Sequence, residues 1–366
     1  MADLASLLQV KEQLSLRFLQ PGIQANVVAR TPRRSMDEAV AQARNNVHAV
    51  GVGPKVVDGR MTDEMCVRLY VIQKLPAGAL NPNDVLPEEV DGVPIDVIES
   101  APAFLLETIS RGEEQAIASL EAFGAPVMAA ATCTAARQSR QRPVIAGIST
   151  GHFAITAGTL SCFCHSTRAG EDPEAVHALS NNHVYANVNQ GVPGDALLQQ
   201  GPIDGGTPAE HFADLERFVP IALGGVQVNR VDAAIGRLLP DVPFRAEICS
   251  IGPLAGTVAA TEMMRVRKHG RTTGLTHGVV TDISYNALVG MDHSNPSVVG
   301  LFQDQIRISG TPATPAFGLG GDSGSLVVTE EGNQAVGLYF AGPPSGNYGV
   351  ANKIGNVLTE LEIHLI

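Results

Sequence analysis

The chain contains no tryptophan, and aromatic residues make up only 4% of its 366 residues. It has no run of about 18 apolar residues, the length that a membrane-spanning helix needs, and its start lacks the basic and apolar segments of a secretion signal. Its net charge of −12 opposes binding to nucleic acid, which depends on neutralising phosphates. These absences predict a cytoplasmic protein that binds neither membranes nor nucleic acids.

Cysteine is also scarce, and its pattern is irregular. An odd number without regular spacing fits a reducing compartment better than a framework of disulfides. Cys162, Cys164 and His165 could suggest a metal site, but no second pair of ligands completes it, so we expect buried thiols and no metal or cofactor. The five cysteines are Cys66, Cys133, Cys162, Cys164 and Cys249.

The most informative segment places Ser323 in a glycine-flanked bend immediately before an apolar strand. The flanking glycines allow positive φ angles and a close approach of substrate to the main chain. The amides of Gly321 and Ser323 can then converge as an oxyanion hole. An ordinary turn would have the same sequence, so the interpretation depends on the partners of this serine.

A serine needs a histidine as general base and a carboxylate that orients the histidine. His183 follows short polar residues and precedes an apolar one, as expected at the end of a strand. Asp232 lies in an apolar run, where burial is costly unless a partner such as His183 compensates it. The alternatives are a satisfied, half-buried histidine and, for the acid, four of the other aspartates between His183 and Ser323: Asp195, Asp204, Asp214 and Asp241.

The order His183, Asp232, Ser323, with separations of 49 and 91 residues, resembles that of the trypsin-like (chymotrypsin-fold) serine proteases. The segment 268–280 is similar to the strand that opens the second barrel in the bacterial branch of this family. The segments 147–152 and 157–160 look like the first strands. The chain also resembles bacterial trypsin-like proteins related to the plant narrow-leaf proteins. The resemblance implies two six-stranded antiparallel β-barrels and a protein or peptide substrate.

The resemblance also implies a buried ion pair beside the nucleophile. The acid next to the serine, Asp322, is turned inward in this family and needs a cation. The chain lacks the usual activation sequence, and the bacterial branch uses an arginine that corresponds to Arg271, so we expect an Arg271–Asp322 pair and no activating cleavage. Alternatively, Arg271 belongs to an exposed basic stretch with Arg265, Arg267 and Lys268.

In the family, the pocket for the residue before the scissile bond corresponds here to Phe317, Ala341 and Gly342. Phe317 is not acidic, so nothing is present to anchor a basic side chain, and a small to medium apolar residue is favoured. These residues would equally suit a core turn.

The length and the segmentation predict three parts. Residues 1–128 form a small α+β module, with a helix over 2–19, a short helix over 37–45 and strands at 47–52, 64–72 and 95–98. Residues 129–142 form a flexible linker, and 143–366 form the mainly β, double-barrel protease domain. The module lacks a phosphate-binding loop, metal cluster or nucleophile, so a structural or regulatory role is expected.

Two functions remain open. One is a serine endopeptidase, and the other is a trypsin-like scaffold that binds peptides or assembles with partners and cleaves slowly or not at all. The intact order of the three residues favours the endopeptidase. A homo-oligomer is compatible with either function.

Overall fold

The computed structural model describes residues 2–19, 43–80, 82–105, 137–292, 295 and 298–366. Within these ranges the chain is mainly β, as predicted. The helices are α1 (Leu4–Phe18), α2 (Ala43–Asn46), α3 (Asn182–Tyr185) and α4 (Ile354–Leu361). The strands before residue 105 are β1 (Val47–Val57), β2 (Arg60–Val71), β3 (Glu89–Val90) and β4 (Val93–Glu99).

The remaining strands belong to two sheet systems and a short strand pair. Those up to residue 248 are β5 (Val144–Ala146), β6 (Ser149–His152), β7 (Gly158–Thr159), β8 (Cys162–Ser166), β9 (Val176–Ser180), β10 (Ala196–Leu198), β11 (His211–Phe218), β12 (Val228–Asn229), β13 (Ala234–Leu238) and β14 (Phe244–Ile248). Those after residue 264 are β15 (Arg265–Gly270), β16 (Gly274–Gly290), β17 (Val299–Gly310), β18 (Leu326–Thr329), β19 (Ala335–Ala341), β20 (Tyr348–Lys353) and β21 (Ile363–Leu365).

The first sheet has the order β21-β8-β9-β13-β11-β10-β6-β7. Its strands β7 and β8 are separated only by Leu160 and Ser161, so they act as one bent strand that joins the two sides of the sheet. The result is a closed antiparallel barrel of six strands, with β21 added outside β8.

The second sheet contains the order β17-β20-β19-β18-β15-β16, and β16 pairs again with β17. This extra pairing closes a second six-stranded antiparallel barrel. The prediction of two six-stranded barrels is therefore confirmed.

The amino-terminal strands continue the second sheet. Strand β1 pairs antiparallel with β16, from Ala49 opposite Ala287 to Val52 opposite Ser284. Strand β2 follows through a hairpin whose turn residues, Asp58 and Gly59, both have positive φ, as this tight turn requires.

Helix α1 covers these added strands. Its apolar residues Leu7, Val10 and Leu14 are buried against side chains of β1, β2 and β16. The ammonium group of buried Lys11 donates to Ser284 Oγ at 2.7 Å and to Asn286 Oδ1 at 3.1 Å. The helix is thus fixed to the long strand of the second barrel by apolar packing and by satisfied polar contacts.

The predicted domain boundaries remain a prediction. Residues 106–136, which include most of the predicted linker, and residues 37–42 of the predicted second helix lie outside the described residues. The described end of the linker is anchored, because the Arg137 guanidinium donates to the carbonyls of Arg271 and Thr272 at 2.9 and 2.6 Å.

Alternation along β18 connects the two barrels. Leu326 and Val328 pack in the cluster that fills the first barrel, whereas Val327 points the other way, into the second barrel. Because β18 directly follows the Ser323 bend, the bend lies at the junction between the barrels.

The cysteines fit the sequence prediction only in part. Cys66, Cys162 and Cys164 are free and buried, and burial raises the pKa of the Cys162 thiol to about 12. Cys249, in contrast, is disulfide-bonded, which the irregular spacing of the cysteines did not predict. Among the described residues, no helix is both long and apolar enough to cross a membrane.

Candidate active site

His183 is presented by the one-turn helix α3, which follows strand β9 of the first barrel. Asn181 caps the start of the helix with an extended backbone, and its side-chain amide donates to the Asp232 carbonyl at 2.7 Å. The His183 side chain is 12% exposed. The imidazole of His183 is thus partly exposed, while the residues around it in the helix are buried.

His183 and Asp232 are in direct contact. His183 Nδ1 lies 2.5 Å from Asp232 Oδ2, and the His183 backbone amide donates to Asp232 Oδ1 at 3.1 Å. In a neutral imidazole that donates from Nδ1 to this carboxylate, Nε2 keeps its lone pair. Nε2 is buried and has no hydrogen-bond partner among the residues that the structure describes.

Three of the four competing aspartates have other partners. Asp195 pairs with His152, Asp204 with Arg271, and Asp214 with His211. Asp232 is fully buried, and its own amide donates to Asn352 Oδ1 at 3.0 Å. Since Asn352 belongs to β20, the second barrel helps to hold the acid of the first.

The Ser323 bend needs the glycine that follows it. Gly324 has φ +95°, and a Cβ there would lie 2.1 Å from the Thr159 carbonyl oxygen and 2.3 Å from Ser180 Oγ. Any other residue would clash with the first barrel. The bend can therefore sit against strands β7 and β9 only because Gly324 has no side chain.

Thr159 of the first barrel makes two hydrogen bonds to this bend. Its amide donates to the Ser323 carbonyl at 2.7 Å, and its hydroxyl donates to the Gly321 carbonyl at 2.9 Å. The neighbouring Gly158 is in contact with both halves of the site, because a Cβ there would lie 2.5 Å from Val184 Cγ2 and 3.0 Å from the Ser323 carbonyl oxygen. The helix that carries His183 and the bend that carries Ser323 therefore meet across Gly158.

The Ser323 hydroxyl does not bond to His183 in this structure. Ser323 Oγ donates to the Phe340 carbonyl at 3.3 Å, and the serine side chain is nearly buried. Phe340 lies on β19, the strand beside the bend. A hydrogen bond to His183 Nε2 would require the hydroxyl to turn away from this carbonyl.

The two amides predicted as an oxyanion hole belong to peptide groups whose carbonyls are fixed. The Gly320 carbonyl accepts from Thr272 Oγ1 at 2.6 Å, and the Asp322 carbonyl accepts from Ser325 Oγ at 2.6 Å. In a trans peptide the N–H points opposite to the C=O. The N–H groups of Gly321 and Ser323 thus point away from these anchors, and among the described residues neither has an acceptor.

The predicted Arg271–Asp322 pair is wrong. Asp322 Oδ2 pairs with Lys268 Nζ at 3.0 Å, and both side chains are completely buried. Arg271 donates instead to both oxygens of Asp204, at 2.9 and 2.5 Å. Lys268 lies within strand β15, whereas Arg271 follows its end, so their side chains reach different acids.

Asp322 also receives hydrogen bonds from the turn after β15. The amides of Thr272 and Thr273 donate to Oδ1 at 2.8 and 3.1 Å, and Thr273 Oγ1 donates to Oδ2 at 2.7 Å. Burial opposes ionisation of Asp322, but the Lys268 charge and the surrounding donors outweigh it and lower the pKa of this carboxyl. The pKa of Lys268 is lowered by its burial, which the Asp322 charge only partly offsets.

The predicted pocket residues are all buried. Phe317 belongs to the core of the second barrel and packs edge-on against Tyr339, with ring centroids 6.0 Å apart, so it does not line an open pocket. Ala341 is buried in an apolar cluster, and Gly342 pairs with Phe104. The Tyr339 ring approaches Gly318 so closely that a Cβ there would lie 2.7 Å from it.

Sequence reasoning missed several residues that support the site. Lys268 and Thr273 are part of the segment that was used to identify the second barrel, but their role at Asp322 depends on which way each side chain points. Thr159 and Asn352 had no signal, because single polar residues in short strands look the same whether or not they reach across to another barrel.

No protein-family model matches the chain, and no curated protein matches it. Similar solved structures include Protease A of Thermobifida fusca, with 16% identity and a TM-score of 0.43 over 61% of this chain and 97% of that chain. Chymotrypsin of Cellulomonas bogoriensis has 17% identity and a TM-score of 0.41 over 61% and 98%. A serine protease specific for glutamic acid has 17% identity and a TM-score of 0.43 over 61% and 100%. These are similarities of fold, and the chemistry of the site depends on the side chains described above.

Proposed function

We propose that the protein is a serine endopeptidase that cleaves peptide bonds through an acyl-enzyme. Ser323 Oγ attacks the scissile carbonyl carbon while His183 Nε2 takes the hydroxyl proton. The same proton then passes to the leaving amine, and the carbon–nitrogen bond breaks. Water, activated by His183, attacks the ester, which releases the acid and restores the Ser323 hydroxyl.

The observation that carries this proposal is the state of His183. Its Nδ1 is held by a buried carboxylate, and its Nε2 is buried without a partner, close to a bend that bears a serine. A buried ring nitrogen without a partner is costly. His48 and His177 also have one among the described residues, but in neither does the other ring nitrogen contact a carboxylate, as it does in His183. A lone pair kept free for a proton is what a general base needs.

The mechanism requires the Ser323 hydroxyl to exchange its 3.3 Å bond to the Phe340 carbonyl for one to His183. We expect a rotation of the serine side chain to do this, since a change of one staggered rotamer is ordinary for a serine. The amides of Gly321 and Ser323 would then receive the negative charge that develops on the substrate oxygen.

The substrate is a protein or peptide. Because Phe317 and Tyr339 fill the space beside Gly318, we infer that a small apolar residue precedes the scissile bond. The Lys268–Asp322 pair is already formed in the uncleaved chain, which supports activity without an activating cleavage. The resemblance to the plant narrow-leaf proteins remains a prediction from the sequence.

One observation favours the alternative, a scaffold that binds peptides but cleaves slowly or not at all. The Ser323 hydroxyl is bonded to the Phe340 carbonyl rather than to His183. If this arrangement persisted when a peptide was bound, the serine would not be activated.

Labelling with a fluorophosphonate separates the two functions, because this reagent reacts with a serine only when the base is functional. We expect stoichiometric labelling of wild type, located on Ser323 by mass spectrometry, and none in Ser323→Ala or His183→Ala. Lack of labelling in a correctly folded wild type would reject the endopeptidase.

A further inference from the structure

The end of strand β19 is paired with a distant part of the chain. The Phe104 amide donates to the Gly342 carbonyl at 2.9 Å, and the Gly342 amide donates to the Phe104 carbonyl at 3.1 Å. This is an antiparallel pair in which both hydrogen bonds are made. Phe104 therefore lies on the edge of β19 as an added strand residue.

The same short segment is paired on its other side. The Gly290 amide, at the end of β16, donates to the Ala103 carbonyl at 3.0 Å, and the Leu105 amide donates to the Gly290 carbonyl at 2.8 Å. Residues Ala103, Phe104 and Leu105 are 1%, 7% and 6% exposed. The three residues fill the gap between the ends of two barrel strands.

The residues that precede this segment are also fixed by hydrogen bonds. The Tyr348 hydroxyl donates to the Ala101 carbonyl at 2.6 Å, and the Ser100 amide donates to the Val71 carbonyl at 2.9 Å. The segment therefore approaches β19 from a fixed starting point, next to β2 and β20.

The register of pairing along β19 shows how a peptide on this edge would be aligned with Ser323. In an antiparallel pair, two residues forward on one strand face two residues back on the other. A peptide paired at Gly342 in the direction of Phe104 would thus place its next-but-one residue opposite Phe340. The Phe340 carbonyl is the group that accepts the Ser323 hydroxyl, so an extended peptide in this register leads directly to Ser323.

We propose that Ala103–Leu105 occupies the edge on which an extended substrate lies, so that the chain's own segment competes with substrate for the proposed active site. This inference rests on the proposed endopeptidase function. A peptide bound there would keep the two backbone bonds to Gly342 and would have to displace the segment before it reached Ser323.

The surroundings of the segment also indicate which peptides the edge accepts. Leu105 and Ala103 pack in one apolar cluster with Phe340, Ala341 and Tyr348. One charged group, the Arg307 guanidinium, stacks on the Tyr348 ring, 4.0 Å from the ring centroid. The substrate class is therefore an extended peptide with apolar residues in the positions that Ala103 and Leu105 now fill.

The first test weakens the segment without touching the proposed triad. Phe104→Pro has no N–H and loses the bond to the Gly342 carbonyl, whereas the matched control Phe104→Ala keeps both backbone bonds. One backbone hydrogen bond corresponds to roughly a 2- to 10-fold change in an equilibrium constant. We expect kcat/KM for an apolar peptide to be higher in Phe104→Pro than in Phe104→Ala by about this factor, mainly through KM, and both to exceed wild type, because both lose the buried Phe104 ring.

Fluorophosphonate labelling, which needs no peptide pairing, is measured on the same proteins. Labelled Phe104→Pro with kcat/KM unchanged or lowered would overturn this inference and leave the proposed function intact. No labelling of any of the proteins would overturn the proposed function, and the inference with it.

A second test uses wild type and does not depend on how the proline variant folds. A peptidyl phosphonate with apolar side chains, bound covalently to Ser323, should displace the segment and speed hydrogen exchange at the amides of Phe104 and Leu105. Unchanged protection of these amides in the labelled protein would show that the segment is a permanent strand, and would overturn the inference.

Discussion

The two barrels have the same six-stranded ring but differ in what is attached to it. The first barrel is built from strands of two to eight residues and carries His183 and Asp232 near its rim. In the second barrel β16 and β17 reach 17 and 12 residues, and the excess length of β16 pairs with β1. The second barrel thus carries the Ser323 bend, the edge of β19 that pairs with Phe104, and the amino-terminal strands.

Because of this difference, the proposed acid–base residues lie on one barrel and the proposed inhibitory segment pairs with the other. The proposed acid–base pair is supplied by the first barrel, to which the short strand β21 is added. The proposed nucleophile and the proposed substrate edge belong to the second barrel, which the amino-terminal part of the chain also contacts. A structural change in the amino-terminal part can therefore alter substrate binding without altering the position of His183.

The largest expected effect is on the second-barrel side, at the nucleophile. Ser323→Ala should lower kcat by about 10⁵- to 10⁶-fold, because the acyl-enzyme can no longer form. The folded protein loses only the hydrogen bond to the Phe340 carbonyl, about 1 kcal/mol. Peptide hydrolysis and thermal melting measure the two effects, and comparable rates for wild type and variant would reject Ser323 as the nucleophile.

The next effect concerns the first barrel. Asp232→Asn should lower kcat by about 10⁴-fold, because an amide favours the wrong imidazole tautomer. Asp195→Asn is a matched control, since Asp195 also bonds to a histidine of the first barrel, His152, at 3.0 Å. Equal losses of activity in the two variants would show that the Asp232–His183 pair has no special role.

The third prediction compares the two buried ion pairs behind the bend. Lys268→Met should lower the free energy of unfolding by about 3–5 kcal/mol, because it leaves Asp322 buried without its cation. It should also slow fluorophosphonate labelling, since Asp322 holds the peptide groups of the bend. Arg271→Met should destabilise through Asp204 but label at a near-normal rate.

Labelling and melting of both variants decide this point. If Arg271→Met slowed labelling as much as Lys268→Met, the two ion pairs would not have separate roles in the bend.

A smaller effect is expected for the amino-terminal addition. Leu14→Ala should lower the free energy of unfolding by about 2–5 kcal/mol, because the Leu14 side chain of α1 is packed against the sheet and is only 1% exposed. The labelling rate of the folded variant should not change, since Leu14 touches no residue of the proposed site. Slower labelling would show that the addition supports Ser323 as well as the sheet.

The smallest effect is the contribution of Asp322 to the pH dependence of stability. Its pKa is lower in the folded chain than the ordinary value of 3.8, so the unfolded chain binds more protons near that pH. The stabilisation is fully present above 3.8 and is lost as the pH falls through the folded value. Melting curves of wild type and Asp322→Asn should converge below pH 3.8, and a constant difference at all pH values would contradict this.

Sequence reasoning succeeded where local pattern decides the structure. The helix over 2–19 and the Asp58–Gly59 hairpin follow from apolar periodicity and turn residues, and the two barrels were implied by the family resemblance. The contact between His183 and Asp232 followed from the order of the motifs, because an acid in an apolar run needs a partner.

Sequence reasoning failed where the contact depends on the direction of a side chain or on a partner far away in the chain. Arg271 and Lys268 are three residues apart, and only the end of β15 at Gly270 determines that Lys268 reaches Asp322 while Arg271 reaches Asp204. The pairing of Phe104 with Gly342 joins residues far apart in the chain, and nothing in either local sequence marks it.

The most direct test of the account is a crystal structure of the protein with a peptidyl phosphonate bound. The account predicts a bond from phosphorus to Ser323 Oγ, with His183 Nε2 within hydrogen-bond distance of that oxygen. It also predicts a phosphonyl oxygen about 2.7–3.1 Å from the amides of both Gly321 and Ser323. A covalent bond to another residue, or a phosphonyl oxygen that faces away from these two amides, would contradict it.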